Sequence, residues 1–547
     1  MCIRDRRFAS VPDLLVIGKA VAAGAGLALA LTVAWNRLDG VPRSLVLLYP
    51  LLLAVMLAAP RLLYRHWVDR RRFRLGPERR AFVVGSGSAA ELLIRDTLRD
   101  PAHRYLPVAV FDNAPRLHGA RLHGVKIEGP VVRIAERMRA LGPQIVLVAQ
   151  RDCSEGTLRE VFTLCEQLKL PVRLLPSPGE LAQDSTALGA LRAVTIEDLL
   201  RRPPVQLDHA RIDQHLRGRR VLVTGAGGSI GGELCAQISA HQPEKLILVD
   251  QSELALRVVL DRLQLLDLQC VVVPVLADVA DRMHMQSLFA LHRPQLVLHA
   301  AACKHVDLLE DNPLAAVRSN VLGTRSVIDA ARAASVESLL LVSTDKAVEP
   351  VSVLGLTKRL AEHCVRAAGD ESLRTLVVRF GNVLDSTGSV VPRFREQIRR
   401  GGPVTVTSAG MTRYFMTLPE AAQLILETVA IGECAGVYAL DMGEPVRILD
   451  LAEQMIRLHG LEPGHDVRLE ITGERPGERL HEPLCAADET MQPSRHPKVL
   501  RVCGPPPGAA PDLSALQRAL AAADAEAALQ ALRALLPDPV LRRAAQS

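Results

Sequence analysis

The chain has 547 residues, enough for two to four domains, and a modest net charge of +6 that does not by itself indicate a nucleic-acid partner. Hydrophobic residues make up 48% of the composition and aromatic residues only 3%, so the cores must be built from Leu, Val and Ala. The ten cysteines form no Cys-x-x-Cys pair and no Cys/His cluster. This pattern indicates neither a metal site nor a disulfide framework, and it favours reduced thiols in a cytoplasmic compartment.

Two apolar runs near the N-terminus, residues 14–35 and 44–60, each approach the roughly 20 residues that span a bilayer. A short loop over 36–43 joins them, so residues 1–75 are predicted to form a transmembrane helical hairpin. Arginines on both sides of this hairpin place both of its ends in the cytoplasm. The alternative is a buried hairpin of a soluble domain. The arginine-rich stretch 65–80 is interpreted as a juxtamembrane segment near anionic lipid rather than as a nucleic-acid patch.

Residues 76–200 are predicted to form a first Rossmann-like α/β domain. A strand in 81–90 enters a Gly-x-Gly-x-x-Ala turn, and a helix follows. Further elements are predicted as strands at 108–112 and 145–149 and a helix at 158–168. Because only Asp112 offers an acidic side chain at a strand end, the domain is interpreted as structural. A working nucleotide site is the alternative. Residues 184–218 are predicted to be a linker.

Residues 201–503 are predicted to form the catalytic domain, because strands and helices alternate as in a doubly wound parallel sheet. Strands are predicted at 221–223, 245–249, 271–275, 296–300, 339–343 and 376–379. Beyond about residue 401 the alternation fades, which is typical of a smaller substrate-binding lobe. The tail, residues 504–547, is predicted to be flexible at its Pro-rich start and helical over 512–536. The fold class is therefore two Rossmann-like sheets preceded by the hairpin.

A glycine turn follows the strand at 221–223. Gly225, Gly228 and Gly231 precede a helix, so backbone N–H groups can face a pyrophosphate that the chain approaches closely. Asp250 ends the next strand, where a carboxylate accepts hydrogen bonds from an adenosine ribose and repels a 2′-phosphate. The sequence therefore predicts NAD as the cofactor. The cofactor-binding residues are predicted to be Gly225, Gly228, Ser229, Ile230, Gly231, Asp250, Asp278, Val279, Ala300, Ala301 and Lys358.

Thr344, Asp345 and Lys346 follow the strand at 339–343. Ligands of open parallel sheets lie at the carboxyl ends of the strands, so this hydroxyl, carboxyl and amine are predicted to lie beside the nicotinamide. Together they can hold a sugar hydroxyl, donate one proton and take another. The alternative is a turn with solvated charges. Lys358 lies near the head of the next helix.

The sequence resembles the membrane-bound UDP-N-acetylglucosamine 4,6-dehydratases within the extended short-chain dehydrogenases. The resemblance extends over nearly the whole chain and rests on several stretches. These stretches are 224–231, 299–302, 304–306, 320–324, 343–347, 379–383, 411–416, 440–444 and 475–478. It implies that a bacterial enzyme attached to the inner membrane acts on UDP-N-acetylglucosamine in the cytoplasm, as a homo-oligomer, for polysaccharide or glycan biosynthesis.

The resemblance also implies the chemistry. NAD takes a hydride from C4, water leaves from C5 and C6, and the hydride returns to C6. Asp345 protonates the leaving C6 hydroxyl, Lys346 takes the C5 proton and Thr344 bonds O4. Lys346 must then be neutral, and burial together with the cation Lys358 is expected to lower its pKa. The residues predicted to bind the substrate are Lys304, His305, Asn382, Arg413 and Arg475, with the two arginines on the diphosphate.

Three features depart from the family. Leu354 replaces the Tyr of the usual Tyr-x-x-x-Lys motif, and Cys303 replaces a Tyr of the family. The family usually has four membrane helices, whereas two are predicted here. Residues 1–6 also differ from a typical native N-terminus, so an N-terminal truncation is expected. Two other functions stay open: a UDP-hexose 4-epimerase on the same fold, and a non-catalytic membrane scaffold.

Overall fold

The computed structural model describes residues 79–99, 105–149, 152–168, 170–175, 192–193 and 207–536, the last range without residues 267, 268, 460 and 507. It also describes scattered helical positions between 21 and 59. The chain divides into two compact units, Met1–Ala193 and Val194–Ser547. The hairpin predicted over 14–35 and 44–60 falls almost entirely outside the described residues. Among those that are described, no helix has the length and apolar character needed to cross a membrane.

The first unit contains a seven-stranded sheet with the order β3-β4-β2-β1-β5-β6-β7. Its strands are β1 Arg79–Val84, β2 Tyr105–Phe111, β3 Arg121–Leu122, β4 Val125–Gly129, β5 Ile145–Ala149, β6 Val172–Leu175 and β7 Arg192–Ala193. Its helices are α1 Ser88–Arg99, α2 Ile134–Leu141 and α3 Glu155–Gln167. Strands β4, β2, β1, β5 and β6 run parallel, and β5 is buried along its whole length. The order of the strands reverses between β1 and β5, as in a Rossmann-like half.

The second unit is built on a nine-stranded sheet with the order β10-β9-β8-β11-β12-β13-β18-β22-β21. The strands of this sheet are β8 Arg220–Thr224, β9 Lys245–Asp250, β10 Val271–Leu276, β11 Leu296–His299, β12 Ser338–Val342, β13 Arg374–Arg379, β18 Gly436–Leu440, β21 Thr490–Pro493 and β22 Val499–Cys503. The first seven in sheet order are parallel, and β22 and β21 are antiparallel to their neighbours. The order in which the chain adds strands reverses between β8 and β11, which is where such folds bind ligands.

Helices cover both faces of this sheet and bury Leu, Val, Ile and Ala against it, except α12 and α14 of the helices below, which pack in a smaller lobe. They are α4 His209–Leu216, α5 Ser229–Ala240, α6 Glu253–Gln264, α7 Arg282–His292, α8 Val306–Asp311, α9 Pro313–Ala316, α10 Gly323–Ala333, α11 Val353–Ala367, α12 Val390–Arg399, α13 Leu418–Ile431, α14 Ile448–Leu458, α15 Ser514–Ala521 and α16 Ala525–Ala534. A π-helical turn, Val317–Leu322, joins α9 to α10. Apolar runs of four to six residues therefore become parallel strands with both faces covered, as the sequence predicts.

A smaller lobe forms where the regular alternation fades. Its strands are β14 Asn382–Val383, β15 Val404–Val406, β16 Thr412–Arg413, β17 Phe415–Met416, β19 Val446–Arg447 and β20 Leu469–Ile471, which pair as β14–β17, β15–β20 and β16–β19. This lobe has its own apolar cluster, in which Phe394 and Ile456 are buried. The lobe borders the carboxyl end of the main sheet, since β14 follows β13 directly.

Two segments differ from the prediction. The predicted linker 184–218 contains α4, which Asp208 caps by accepting a 3.1 Å hydrogen bond from the Arg211 amide. The single helix predicted over 512–536 is two helices, because Ala523 has a φ of +53° and Asp524 caps a new helix. Buried leucines of both α15 and α16 join the main core, so this part of the tail is packed.

Candidate active site

The carboxyl ends of β8, β11 and β12 meet the small lobe in a cleft of about 1230 Å³. The cleft lies wholly within the second unit. Nearly every residue predicted from the sequence to bind cofactor or substrate lines it, and Asp345 lies directly beneath the lining. The lining includes Gly225, Gly228, Ser229, Ile230, Gly231, Asp250, Asp278, Val279, Ala300, Ala301, Lys304, His305, Thr344, Lys346, Lys358, Asn382, Arg413 and Arg475.

The glycine turn needs its missing side chains. Gly225 has a φ of +66°, and a Cβ there would lie 2.6 Å from the backbone nitrogen of Ala301. A Cβ on Gly231 would overlap the carbonyl oxygen of Gly225. Helix α5 begins directly after Gly228, so its free N–H groups face the cleft. This is the geometry that accommodates a pyrophosphate between a strand and a helix N-terminus.

Asp250 connects the end of β9 to the glycine turn. Its Oδ2 accepts a 2.9 Å hydrogen bond from the Gly227 amide, and its Oδ1 accepts a 2.8 Å bond from the Ser252 amide. The carboxylate is partly exposed and lines the cleft, so it retains lone pairs for a ligand hydroxyl. Asp250 therefore shapes the turn as well as offering an acceptor, a second role that the sequence did not indicate.

Asp278 and Val279 lie just beyond β10. The Oδ1 of Asp278 accepts a bond from the Ala280 amide, and its Oδ2 pairs with Arg318 at 3.0 Å. Val279 is buried and packs against Gly323 at the start of α10. These contacts fix the loop that borders the cleft beside the predicted adenosine position.

A buried histidine of β11 links β8 to the start of α10. His299 Nδ1 lies 2.7 Å from Thr224 Oγ1, and its Nε2 lies 2.9 Å from Thr324 Oγ1. Thr324 already donates its hydroxyl proton to the Asn320 carbonyl at 2.6 Å, so His299 must donate from Nε2 and accept at Nδ1. Burial, with a smaller effect of Lys358, lowers the pKa of His299 to about 3. The imidazole is therefore neutral and orients the strand ends under the glycine turn.

Lys358 projects from α11 toward the end of β12. Its Nζ donates a 2.7 Å hydrogen bond to the Val342 carbonyl. Burial lowers its pKa to about 8, and the nearby Glu362 acts in the opposite direction. The remaining N–H groups of this ammonium face the cleft, where a ribose hydroxyl of a dinucleotide can accept them.

Thr344, Asp345 and Lys346 form a tight turn at the end of β12. The hydroxyl of Thr344 donates a 2.9 Å hydrogen bond to Asp345 Oδ1, and Lys346 Nζ donates to the same oxygen at 3.0 Å. Asp345 is 1% exposed, and its Oδ2 has no hydrogen-bond partner among the described residues. The amide oxygen of Asn382 lies 3.4 Å from Lys346 Nζ. The turn therefore holds a buried ion pair.

The expected lowering of the Lys346 pKa is wrong. Burial does lower it, but the charges of Asp345 and Glu482 raise it more, and Arg413 offsets only part of their effect. The net pKa of Lys346 is raised above its ordinary value. Lys358 is not among the charged groups that chiefly shift it, and the Lys358 ammonium donates to the Val342 carbonyl. At rest Lys346 is an ammonium ion.

Two residues depart from the family pattern at the cleft wall. Leu354, in the place of the usual Tyr, is buried in an apolar cluster that also contains Leu309, Ala316 and Val353, and it borders the cleft. It offers no polar atom to a substrate. Cys303 is held by its backbone, whose N–H and C=O both bond the side chain of Asn320.

The predicted substrate residues Arg413 and Arg475 line the cleft. Arg413 Nη1 donates to the carbonyls of Thr412 and Leu480, so the guanidinium has a fixed orientation. Arg475 lies 3.7 Å from Asp307 and is about one-third exposed.

Lys304 and His305 line the cleft and lead directly into α8. His305 packs against Gly388, which has a φ of +73°. A side chain at Gly388 would overlap the imidazole, so this loop and His305 are fitted to each other.

The sequence did not indicate Glu482. This buried carboxylate lines the cleft, with Oε1 3.7 Å from Lys346 Nζ and 3.8 Å from Arg413 Nη2. The one sequence feature that could have identified Glu482 is its position four residues after the motif at 475–478. The loop around Thr387 was also missed. Its amide donates a 3.1 Å bond to Ser229 Oγ and so connects the small lobe to the start of α5.

A family model described as polysaccharide biosynthesis protein matches residues 221–503, which include the whole cleft. The chain belongs to this family. A second model, described as a CoA-binding domain, matches residues 6–176.

Relatives of the polysaccharide biosynthesis family agree over much of the chain. The probable polysaccharide biosynthesis protein EpsC of Bacillus subtilis is 40% identical over 77% of this chain and 70% of its own length. The capsular polysaccharide biosynthesis protein CapD of Staphylococcus aureus is 38% identical over 82% of this chain and 75% of its own. The UDP-N-acetylglucosamine 4,6-dehydratase (inverting) of Campylobacter jejuni is 30% identical over 50% of this chain and 79% of its own.

Proposed function

We propose that the chain is an NAD-dependent nucleotide-sugar 4,6-dehydratase that acts on UDP-N-acetylglucosamine. The observation that carries this proposal is the turn of Thr344, Asp345 and Lys346. The hydroxyl of Thr344 and the amine of Lys346 both lie within 3.0 Å of Asp345 Oδ1, and Thr344 and Lys346 line the same cleft as the glycine turn. The likeness to the Campylobacter jejuni dehydratase supports the choice of sugar. An epimerase that only inverts C4 has no use for a separate acid and base at C6 and C5.

The residues at the glycine turn fit a dinucleotide. A side chain at Gly225 or Gly231 would fill the space that a close backbone approach requires, and Asp250 offers its carboxylate at the end of β9. That carboxylate would repel the 2′-phosphate of NADP, which favours NAD. Lys358 would hold the ribose next to the nicotinamide. NAD bound there would supply the reversible oxidation and reduction of the sugar carbons.

Thr344 and Asp345 provide a path for the O4 proton that needs no Tyr. When C4 is oxidised, the Thr344 hydroxyl accepts the O4 proton and passes its own proton to Asp345 along the existing 2.9 Å hydrogen bond. Asp345 then holds one proton and is neutral. The same proton is the one that the C6 hydroxyl needs when it leaves as water. The proton lost by O4 therefore ends in the expelled water, and Asp345 returns to its carboxylate form.

Lys346 is proposed to take the C5 proton and later to deliver one of its three ammonium protons to C5. This role requires an uncharged amine, whereas the resting residue is an ammonium paired with Asp345. The pairing is undone when Asp345 becomes neutral, because the nearest negative charge then disappears. Oxidation at C4 thus prepares the base for the elimination that follows.

The test is to incubate the purified chain with UDP-N-acetylglucosamine and NAD and to record the product by mass spectrometry. The proposal predicts a product lighter than the substrate by one water, with no net consumption of NAD. A product of unchanged mass with inverted C4 would indicate the epimerase instead. Absence of any product from a protein that retains NAD would indicate the non-catalytic scaffold.

We also propose that the chain is attached to the bacterial inner membrane by residues 1–75, with the cleft in the cytoplasm. The support is the length and apolar character of the runs at 14–35 and 44–60 and the arginines around them. The full chain should sediment with membranes, and a chain without residues 1–75 should stay in the supernatant. Recovery of the full chain in the supernatant without detergent would contradict the attachment.

A further inference from the structure

Glu482 is a buried carboxylate that the proposed chemistry leaves without a role. Its side chain is 5% exposed, and its Oε1 lies 3.7 Å from the ammonium of Lys346. The charged groups that face Lys346 within the described part of the chain are Asp345 on its own turn, Glu482, and Arg413 of β16. Asp345 and Glu482 are the two carboxylates within 4 Å of Lys346 Nζ there.

The proposed reaction creates a need for a second proton acceptor. Asp345 takes the O4 proton, so it cannot also take the proton that Lys346 holds at rest. Lys346 has to lose this proton before it can remove a proton from C5. The side chain of Lys346 is only 18% exposed, which restricts direct transfer to bulk water.

We propose that Glu482 accepts the resting proton of Lys346 during each turnover and returns it at the end. This inference rests on the proposed dehydratase function. An N–H bond of Lys346 breaks and an O–H bond of Glu482 forms, which leaves a neutral amine and a neutral carboxylic acid. The amine then takes the C5 proton and later delivers one of its three ammonium protons to C5. Glu482 finally returns its proton to the amine, so every group regains its starting state.

The geometry allows this transfer with a small movement. The distance of 3.7 Å must close to about 2.8 Å, the length of a strong charge-assisted hydrogen bond. Lys346 has a flexible stem and is released from Asp345 once that residue is neutral. Arg413 stays in place, since two backbone carbonyls hold its guanidinium. Glu482 acts through Lys346, so it is a positioning residue rather than one that touches the sugar.

Glu482→Gln keeps the shape of the side chain and removes its basic oxygen. At neutral pH we expect the dehydration kcat to fall about 100-fold with little change in KM. In this variant the lysine proton must reach water, so the loss should shrink as the pH rises. Glu482→Asp should restore part of the rate. The matched control is Glu474→Gln, which removes the same charge from an exposed position outside the cleft and should behave like the unsubstituted chain.

A second measurement separates this inference from the proposed function. Competitive labelling of lysine amines over a pH series reports the pKa of Lys346 without any substrate. Glu482→Gln should lower that pKa, and Glu474→Gln should leave it unchanged. An unchanged pKa, a wild-type kcat in Glu482→Gln, or the same fractional loss at every pH would overturn the role of Glu482. Failure of the unsubstituted chain to dehydrate the sugar would overturn only the proposed substrate and reaction.

The first unit carries a second, independent observation at the carboxyl end of its own sheet. Asp152 Oδ2 accepts a 2.8 Å hydrogen bond from the Ala90 amide in the first turn of α1, and Oδ1 lies 3.5 Å from the Ala89 amide. A Cβ on Gly87 would overlap this carboxylate. Helix α1 follows β1 at the switch point of the sheet, which is where a nucleotide phosphate binds in a Rossmann-like domain.

We infer that Asp152 occupies the phosphate position of the first unit and so closes it to nucleotides, CoA included. The carboxylate supplies the negative charge that the helix N-terminus favours. Asp112 is the carboxylate that could accept a hydrogen bond from a ribose. Its Oδ2 already accepts a 2.5 Å hydrogen bond from the Ser86 hydroxyl. The space left between these groups is about 200 Å³, too small for a dinucleotide.

Calorimetry with CoA on the full chain, with NAD in excess to fill the catalytic cleft, tests this inference. The unsubstituted chain should show no binding at millimolar CoA, whereas Asp152→Ala should bind it. Asp112→Ala is the matched control, since it removes a carboxylate from the same edge but leaves Asp152 on the helix, and it should not bind. Equal CoA binding by the unsubstituted chain, or none by a folded Asp152→Ala variant, would overturn the inference.

Discussion

Lys346 Nζ lies 3.0 Å from Asp345 Oδ1, so the proposed base and the proposed acid form an ion pair at rest. Elimination needs the opposite protonation of both residues, a neutral amine and a neutral carboxylic acid. The O4 proton reaches Asp345 through Thr344 and makes Asp345 neutral. A neutral Asp345 no longer stabilises the positive charge of Lys346, so the pKa of Lys346 falls. This order of events makes C5 deprotonation dependent on prior oxidation at C4.

Thr344→Val tests the proton path from O4. The substitution keeps the branched shape and removes the hydroxyl that bridges to Asp345. We expect the rate of water loss, followed by mass spectrometry, to fall about 100-fold or more, because the O4 proton loses its acceptor. Thr344→Ser retains the hydroxyl and should keep most of the activity. Activity of Thr344→Val close to that of Thr344→Ser would contradict the path.

Lys346→Met tests the base. The amine is removed while most of the stem remains, so dehydration should fall by about 10²–10⁴-fold. The fold and NAD binding should survive, because Lys346 extends from a strand end into the cleft, but the melting temperature should fall, because the buried carboxylate of Asp345 loses its charge partner. If Lys346→Met retained near-normal dehydration, another group would have to remove the C5 proton.

Asp250→Ala tests the cofactor site. The carboxylate accepts bonds from Gly227 and Ser252 as well as facing the cleft, so its loss should both loosen the glycine turn and remove the ribose acceptor. We expect the Kd for NAD, measured by calorimetry, to rise at least about tenfold. Glu253→Gln, at an exposed position of α6, removes the same charge and should not change it. Preference of the unsubstituted chain for NADP would be inconsistent with this assignment.

A buried ion network behind the site predicts how stability changes with pH. Glu489 accepts hydrogen bonds from Arg379 and Arg359, and Arg379 also pairs with Glu362. Burial alone would raise the pKa of Glu489, but the bonds and charge of Arg379, together with Arg359, lower it to about 2.

The lowered pKa fixes the pH window. The ordinary value of 4.5 applies to the unfolded chain, so the stabilisation is complete above about pH 4.5 and is lost as the pH falls to about 2. The difference corresponds to about 3 kcal/mol in the free energy of unfolding. Urea unfolding should show Glu489→Gln to be destabilised at pH 6, with the difference shrinking toward pH 2. The exposed Glu444→Gln should show no such trend.

The sequence predicted the sheet and the placement of most site residues because both depend on local patterns. Short apolar runs become buried parallel strands, and residues just after them must gather at one edge of the sheet. Gly225 and Asp250 could be identified in this way, and so could the turn at Thr344. The helix α4 was missed because its apolar positions, Ile212 and Leu216, are few and lie in a short polar segment.

The charge state of Lys346 could not be predicted because it depends on residues brought together by the fold. Asp345 is adjacent in sequence, yet its pairing with Lys346 depends on the conformation of the turn. Glu482 lies on a loop and Arg413 on the two-residue strand β16, and both belong to a part of the chain where no periodic pattern fixes the structure. The contact of Asp152 with α1 is equally non-local. The contacts of Lys346 with Glu482 and of Asp152 with α1 join residues that are distant in the sequence, and such contacts leave no signal in sequence spacing.

The most direct test of the central claim is the product formed from UDP-N-acetylglucosamine in heavy water. If Asp345 and Lys346 carry out an elimination with proton exchange at C5, the product should have lost one water and carry deuterium at C5, as read by mass spectrometry and proton NMR. A product that has lost no water and carries hydrogen at C5 would contradict the account.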